Sequence, residues 1–319
     1  MNSLIKPERL CRGDTVAIIA PASAPPDPQS VDRAVAALEQ FGFQPKLARN
    51  VRARRGFLAG TDRERATDLM AMFTDKRVKA INCLSGGYGT SRILDRLDYG
   101  LIRRHAKIFS GYSDITSLQL ALMRKAGLIC FHAPMLNGEL AAPHLSPFTR
   151  AAFLRTVMEA VPAGSLSAGY AGKTIAVLRG GTVTGRLIGG NLTLICASLG
   201  TPFAPVFKGK ILFFEDVSEK PYRLDRSLTH LLNAGVLSQV AGVAVGVNQN
   251  CEDPNAKPGG EYRQSAADVI AERLASLRVP VVAGLPFGHG ELNATIPLGV
   301  RATLDGQRGD LIIAEPAVR

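Results

Sequence analysis

Lys107-Ile108-Phe109-Ser110-Gly111-Tyr112-Ser113-Asp114, running into Ile115-Thr116-Ser117-Leu118-Gln119-Leu120-Ala121-Leu122, is the stretch that decides the fold. Lys107 to Phe109 reads as a short buried strand, and a helical pattern runs from Ile115 to about Ala126. A serine between the two sits on a sharp strand-to-helix turn. Such a turn lifts the hydroxyl out of the sheet and aims the first helical N–H groups at whatever is bonded to it. This is the layout of a nucleophile elbow, except that Ile115 stands where G-x-S-x-G has its second glycine. Ser followed by Asp before a helix is also an N-cap signal. The local residues leave capping and catalysis both open.

Outward from this turn, strand and helix patterns alternate. Residues 15–20 form a nearly continuous apolar run, as in a strand buried on both faces. After a Pro/Ser/Ala loop, Val31, Ala34, Val35, Leu38 and Phe41 recur at helical spacing. Residues 44–48 predict a second strand, at a sheet edge because Pro45 cannot donate to a ladder. Thr61-Asp62-Arg63-Glu64 is a capping box that opens a helix carrying Ala66, Leu69, Met70 and Phe73. Residues 78–84 are the next strand, ending in Ser85-Gly86-Gly87-Tyr88-Gly89, and 128–131 another, ending in His132. The alternation predicts an α/β fold with a parallel sheet wound by helices on both sides. Ligands then gather beyond the carboxyl ends of the strands, where Ser23, Gly86-Gly87, Ser113 and His132 fall.

Residues 1–140 form this first domain. Residues 141–172 read as a linker, in which Pro143, Pro147 and Pro162 flank one helical stretch, 148–160. Residues 173–319 predict a mixed α/β second domain. Its apolar runs lie at 174–178, 185–188, 210–214, 240–247, 279–282 and 311–314, with helical patterns at 192–199, 225–234 and 265–276.

The 319 residues are 46% hydrophobic and 20% charged, ordinary for a soluble globular protein. Lys and Arg number 38 against 27 Asp and Glu, a net charge of +11. No Lys/Arg run is interleaved with aromatics, so the charge points to solubility and small anionic ligands rather than nucleic acid. Cys11, Cys83, Cys130, Cys196 and Cys251 form no CxxC pair, and an odd count argues for a reducing compartment. The first twelve residues lack an apolar leader core and no segment approaches a membrane span, so the expected location is the cytoplasm, with no membrane partner. No cluster has metal-ligand spacing, and no cofactor is expected.

A serine hydroxyl needs a base, and the base an orienting acceptor. His105 and His144 read as solvated or linker residues, and His230 sits inside a helical pattern. His132 could line the cleft. His289, between Gly288 and Gly290, is either a ring presented to a site or a histidine in a tight surface turn. Glu215 follows a strand of large apolar residues, and Asp216 and Glu219 compete with it as acceptor. Arg223 and Arg226 could pair with these acids or hold a substrate carboxylate. Gly86-Gly87 could bring a backbone N–H to an oxyanion, or serve a phosphate, though it lacks the G-x-G-x-x-G spacing and a P-loop Lys.

Taken in order, these pieces resemble the LD-carboxypeptidases, the serine peptidase family that includes muramoyltetrapeptide carboxypeptidase. The matching segments are Ala17-Ile18-Ile19-Ala20-Pro21-Ala22-Ser23, Gly86-Gly87-Tyr88-Gly89 with Arg92-Ile93-Leu94, and Gly111-Tyr112-Ser113-Asp114-Ile115-Thr116. Gly189-Gly190-Asn191-Leu192, Glu215-Asp216-Val217 through Asp225-Arg226, and Gly288-His289-Gly290 follow, so the resemblance spans nearly the whole chain. It implies a flavodoxin-like N-terminal domain with a smaller C-terminal domain, usually as a homodimer. It implies a triad of Ser113 as nucleophile, His289 as base and Glu215 as its orienting acid, with the N–H groups of Asp114 and Gly87 as oxyanion hole. The implied activity is cytoplasmic trimming of murein tetrapeptides during cell-wall recycling, by cleavage of the L,D-bond to a terminal D-alanine. A related branch cleaves peptide–nucleotide antibiotics, and a non-catalytic murein-peptide binder is the remaining alternative. Many members carry Arg where this chain has Ser85, which bears on substrate choice.

Overall fold

The computed structural model describes residues 3–170, 175–253 and 264–319. The first half runs β1 (Thr15–Ile19), α1 (Ser30–Gln40), β2 (Gln44–Leu47), α2 (Asp62–Thr74), β3 (Val78–Cys83), α3 (Tyr99–Arg104), β4 (Ile108–Gly111), α4 (Ile115–Ala121) and β5 (Phe131–His132). These strands are parallel and lie in the order β5-β4-β3-β1-β2. That is the flavodoxin-like order, with its crevice where the winding reverses between β1 and β3. Ala17, Ile18, Ile81, Ile108 and Phe109 are fully buried, which accounts for the unbroken apolar runs. Each large side chain so buried contributes about 1.5–3 kcal/mol.

β2 takes the edge, as Pro45 requires. The capping box of α2 is formed: the Thr61 hydroxyl accepts from the Glu64 N–H and the Glu64 carboxylate from the Thr61 N–H. α4 is shorter than its pattern predicts. It opens into one wide turn at Leu122–Ala126, which the left-handed Gly127 closes.

The second half runs α5 (Pro147–Met158), β6 (Gly164–Ser165), β7 (Ala176–Arg179), β8 (Thr182–Asn191), α6 (Leu192–Ser198), β9 (Ile211–Glu215), α7 (Pro221–Asn233), β10 (Gly242–Val247), α8 (Ala266–Leu274), β11 (Val281–Gly288), β12 (Ile296–Pro297), β13 (Arg301–Asp305) and β14 (Asp310–Ile313). Its sheet, among the described residues, is ordered β6-β14-β13-β8-β9-β10-β11-β7. The central β8 to β11 are parallel, and the pairs outside them are antiparallel. This is the mixed α/β second domain. The 172/173 boundary and the start of the 174–178 run lie outside the described residues. β11 continues well past the expected 279–282, so His289 directly follows a strand.

The halves are tightly joined. β12 returns to the first sheet and pairs antiparallel with β5. At Gly190, in the left-handed region at φ +139°, a Cβ would come within 2.5 Å of Thr116 Oγ1, and the next N–H, that of Asn191, donates to this hydroxyl at 3.0 Å. Only glycine lets β8 approach α4 so closely. The carboxyl end of the second sheet therefore faces the start of α4, one turn from Ser113. No helix among the described residues is long and apolar enough to cross a membrane.

Candidate active site

Ser113 sits between β4 and α4 with φ +62°, one of three non-glycine residues in the left-handed region among those described. Such a backbone costs about 1–3 kcal/mol and persists where the surroundings fix it. The surroundings here are explicit. Asp114 occupies the N-cap of α4 without a side-chain capping bond. Its buried carboxylate instead accepts from the Thr90 N–H at 2.8 Å, while the Thr90 hydroxyl donates to the Asp114 carbonyl at 2.6 Å. Burial raises the Asp114 pKa against the pull of these bonds. Capping, the competing reading of this turn, is not what Asp114 does.

The glycine loop lies directly against the serine. A Cβ on Gly86 would fall 2.9 Å from Ser113 Cβ, 3.1 Å from its Oγ and 3.5 Å from the Asp114 nitrogen. A Cβ on Gly87, at φ +100°, would fall 2.2 Å from Ser23 Oγ. Ser23 clamps the loop, donating its N–H to the Gly86 carbonyl at 3.2 Å and accepting from the Tyr88 N–H at 3.0 Å. Buried Arg65 ties the same loop to the one after β1, donating to the Gly89 and Pro21 carbonyls at 2.8 and 2.6 Å. In the sequence Arg65 lies among the apolar positions of α2 and reads as a surface charge, so no signal marks it.

On the facing sheet, Glu215 ends β9 and is wholly buried. Its Oε2 lies 2.6 Å from His289 Nδ1. The three candidate acids separate cleanly. Asp216 turns away and accepts from Asn191 Nδ2 at 2.8 Å and from the Thr193 N–H and hydroxyl at 3.0 and 2.8 Å. Glu219 faces Arg223 at 3.5 Å, so that arginine is engaged, and Arg226 stacks over Tyr222. Burial raises the Glu215 pKa, opposed by the bond from His289. Burial pulls His289 down, but the hydrogen bond and charge of Glu215, with Glu139 and Asp216 adding to it, carry it above the usual imidazole value.

Tyr112 brings the two sides together: its ring lies 4.7 Å from the His289 ring, centroid to centroid, and Ser113 is the next residue. Among the described residues no direct hydrogen bond joins the Ser113 hydroxyl to His289. With Nδ1 committed to Glu215, Nε2 is the ring nitrogen left open.

Glu139, which sequence reasoning did not single out, also bears on His289. It stands in the turn Leu136–Leu140, where Oε1 accepts from Asn293 Nδ2 at 3.0 Å and Oε2 from the Met135 N–H at 3.2 Å. Asn293 Oδ1 in turn accepts from the Gly288 N–H at 3.1 Å. A chain of hydrogen bonds thus runs from the first domain to the residue preceding His289. No periodic or motif signal marks Glu139.

His132 does not line the cleft. It is fully buried against Tyr112, Phe213 and Phe287, and burial, with the nearby His289 charge, pushes its pKa down to about 3. His144 and His230 are exposed and His105 is half-buried. Among the described residues no group of three or more His, Cys, Asp or Glu could hold a metal ion.

Chemically, the arrangement offers a serine in the left-handed region at a helix start, a glycine loop packed against it, and a carboxylate-paired imidazole on the facing sheet. Residues 16–133 match the LD-carboxypeptidase N-terminal domain and residues 184–304 the LD-carboxypeptidase C-terminal domain. A probable murein peptide carboxypeptidase of Bacillus subtilis is 40% identical over 94% of this chain and 91% of its own. The crystal structure of muramoyltetrapeptide carboxypeptidase from Oxalobacter formigenes superposes with a TM-score of 0.81 at 31% identity, covering 95% of this chain and 99% of that one. The microcin C7 self-immunity protein in complex with aspartyl sulfamoyl adenosine superposes with a TM-score of 0.86 at 25% identity, over 99% of this chain and all of that one.

Proposed function

The chain belongs to the LD-carboxypeptidase family, and from that premise we propose that it is a serine-type L,D-carboxypeptidase releasing terminal D-alanine from murein tetrapeptides. The observation that carries the reading is the buried 2.6 Å bond between His289 and Glu215, placed beside the residue that precedes Ser113.

Ser113 Oγ attacks the carbonyl carbon of the L-centre of the diamino acid as His289 Nε2 takes its proton. The oxyanion is met by the N–H groups of Asp114 and Gly87, each such donor being worth roughly 3–4 kcal/mol in the transition state. The tetrahedral intermediate collapses, His289 returns the proton to the departing D-alanine amine, and an ester on Ser113 remains. Water, deprotonated by the same imidazole, then hydrolyses the ester and frees the shortened peptide. Glu215 fixes the ring with Nε2 toward the serine and stabilises the imidazolium in both steps.

The same proposal places the enzyme in the cytoplasm as a homodimer, with domain limits at 1–140 and 173–319 and a linker between. α5 and β6 fall within that linker. A second reading, an amidase of peptide–nucleotide conjugates, has one observation in its favour: Ser85 stands where many family members have Arg, and its hydroxyl is buried without a partner among the described residues.

Incubation with an L,D-linked murein tetrapeptide, following D-alanine by mass spectrometry, tests the proposal. Wild type is expected to release D-alanine and Ser113→Ala to release none. Tetrapeptide binding without release would leave a binding protein instead, and turnover of an aminoacyl sulfamoyl adenosine alone would favour the second reading.

A further inference from the structure

At the opposite end of the second sheet, a cavity of about 180 Å³ opens between the two halves of the molecule. Met123 and Arg124, from the turn after α4, line one side, and Arg186, Pro205, Val206 and Lys210 line the other, with Leu4 and Gly299 closing it. Lys210 directly precedes β9, whose far end is Glu215. Five residues at ~3.3 Å each put this cavity roughly 16 Å from the acid of the candidate active site.

Its charge is lopsided. Arg186 is held by Glu315 at 3.0 Å and by the Gly299 carbonyl at 2.6 Å, and Lys6 shares that same carboxylate at 3.9 Å. Among the described residues neither Arg124 nor Lys210 has an acidic partner. Burial, then the charges of Arg124 and Arg186, lower the Lys210 pKa. Lys210 is half-buried while Arg124 and Arg186 are exposed, so an anion entering the cavity would meet one partly desolvated ammonium and the solvated guanidinium of Arg124. The rest of the wall is apolar: Leu4, Met123, Pro205 and Val206. The volume resembles that of the ~150 Å³ apolar cavities known to accept a benzene ring.

We infer that this cavity is a second ligand site, separate from Ser113, for a small dianion with a ring-sized apolar body, of the aryl phosphate class. Two uncompensated cations match the charge of a phosphate monoester, and guanidinium forks bind tetrahedral oxyanions through paired N–H groups. The apolar wall takes the organic body. Because the lining comes from both halves, occupancy bridges them and opposes their separation.

The test uses the full chain and phenyl phosphate, with phenol, benzoate and inorganic phosphate as comparison probes at matched ionic strength. Calorimetric titration is expected to show saturable one-to-one binding of phenyl phosphate, and thermal unfolding a rise of about 3–5 °C at hundredfold excess over Kd. The double variant Arg124→Gln/Lys210→Gln should bind at least about tenfold more weakly. Lys210→Gln alone should show the same direction if the double variant folds poorly, and Lys210→Arg should retain binding. Ser113→Ala should bind like wild type, which separates this site from the candidate active site whether or not that site is hydrolytic. Absence of saturable binding, undiminished binding in the charge-removed variants, loss in Ser113→Ala, or equal binding of phenol or benzoate would overturn the inference.

Discussion

His289 and His132 flank one tyrosine ring, at centroid distances of 4.7 and 5.5 Å from Tyr112, and have opposite chemistry. His132 is enclosed by aromatic rings, and neither of its nitrogens has a partner among the described residues. Desolvation therefore holds it neutral, with a pKa near 3. His289 is also removed from most of the solvent, yet its pKa is raised, because Glu215 meets Nδ1 and stays close to any charge the ring acquires. Burial by itself makes an inert histidine. A buried carboxylate beside the ring gives an imidazole that can hold a proton.

The contrast can be broken most completely at the ring itself. His289→Ala, like Ser113→Ala, is expected to lower kcat for D-alanine release by roughly 10⁶-fold with circular dichroism unchanged. A residual rate within about tenfold of wild type would mean that another base serves Ser113. Glu215→Gln keeps the shape but removes the charge, and should cost roughly 10⁴-fold. It should also move the acid limb of kcat/KM. The base works as neutral imidazole, so activity falls as pH drops through the His289 pKa. With that pKa raised, the fall in wild type begins above about pH 6.5. Removing the carboxylate charge lowers the pKa and shifts the limb toward acid.

Glu139→Gln sharpens the comparison from the side. The charge at 139 also raises His289, while a Gln carbonyl can still accept from Asn293. The acid limb should shift down modestly, with kcat at its plateau changed only about two- to threefold. A plateau loss without any shift would show that Glu139 acts only through the Asn293 loop. The smallest effect belongs to His132→Leu. That change removes two buried nitrogens without partners and keeps an apolar filling, so Tm should stay or rise slightly and kcat/KM should remain within about threefold. A large loss of activity would make His132 part of the proton path.

The legible and illegible parts divide along the same physical line. Strands of the first sheet are buried on both faces, so Thr15–Ile19 and Val78–Cys83 stood out as apolar runs. The Ser113 turn was legible because strand pattern, glycine, serine and helix pattern follow one another without a break. β13 leaves no apolar run: Arg301-Ala302-Thr303-Leu304-Asp305 buries only alternate residues and carries charge at both ends. Gly284 and Pro286 read as loop residues and hide the far half of β11, although the strand runs on to Gly288. Choosing Glu215 over Asp216 and Glu219 was beyond any local pattern and came only from the family resemblance. In the structure Glu215 is the one of the three that meets His289, while Asp216 and Glu219 face other partners. Glu139 and Asn293 are 154 positions apart, and nothing in either neighbourhood announces their hydrogen bond.

The central claim is that Ser113 is activated by the His289–Glu215 pair. Labelling with a serine-directed fluorophosphonate, read by peptide mapping, tests it without any choice of substrate. The account predicts a single adduct on Ser113 in wild type, formed fastest at mildly alkaline pH, and its loss in folded His289→Ala. No adduct on the folded wild-type protein, an adduct on a different serine, or equal labelling of His289→Ala would contradict it.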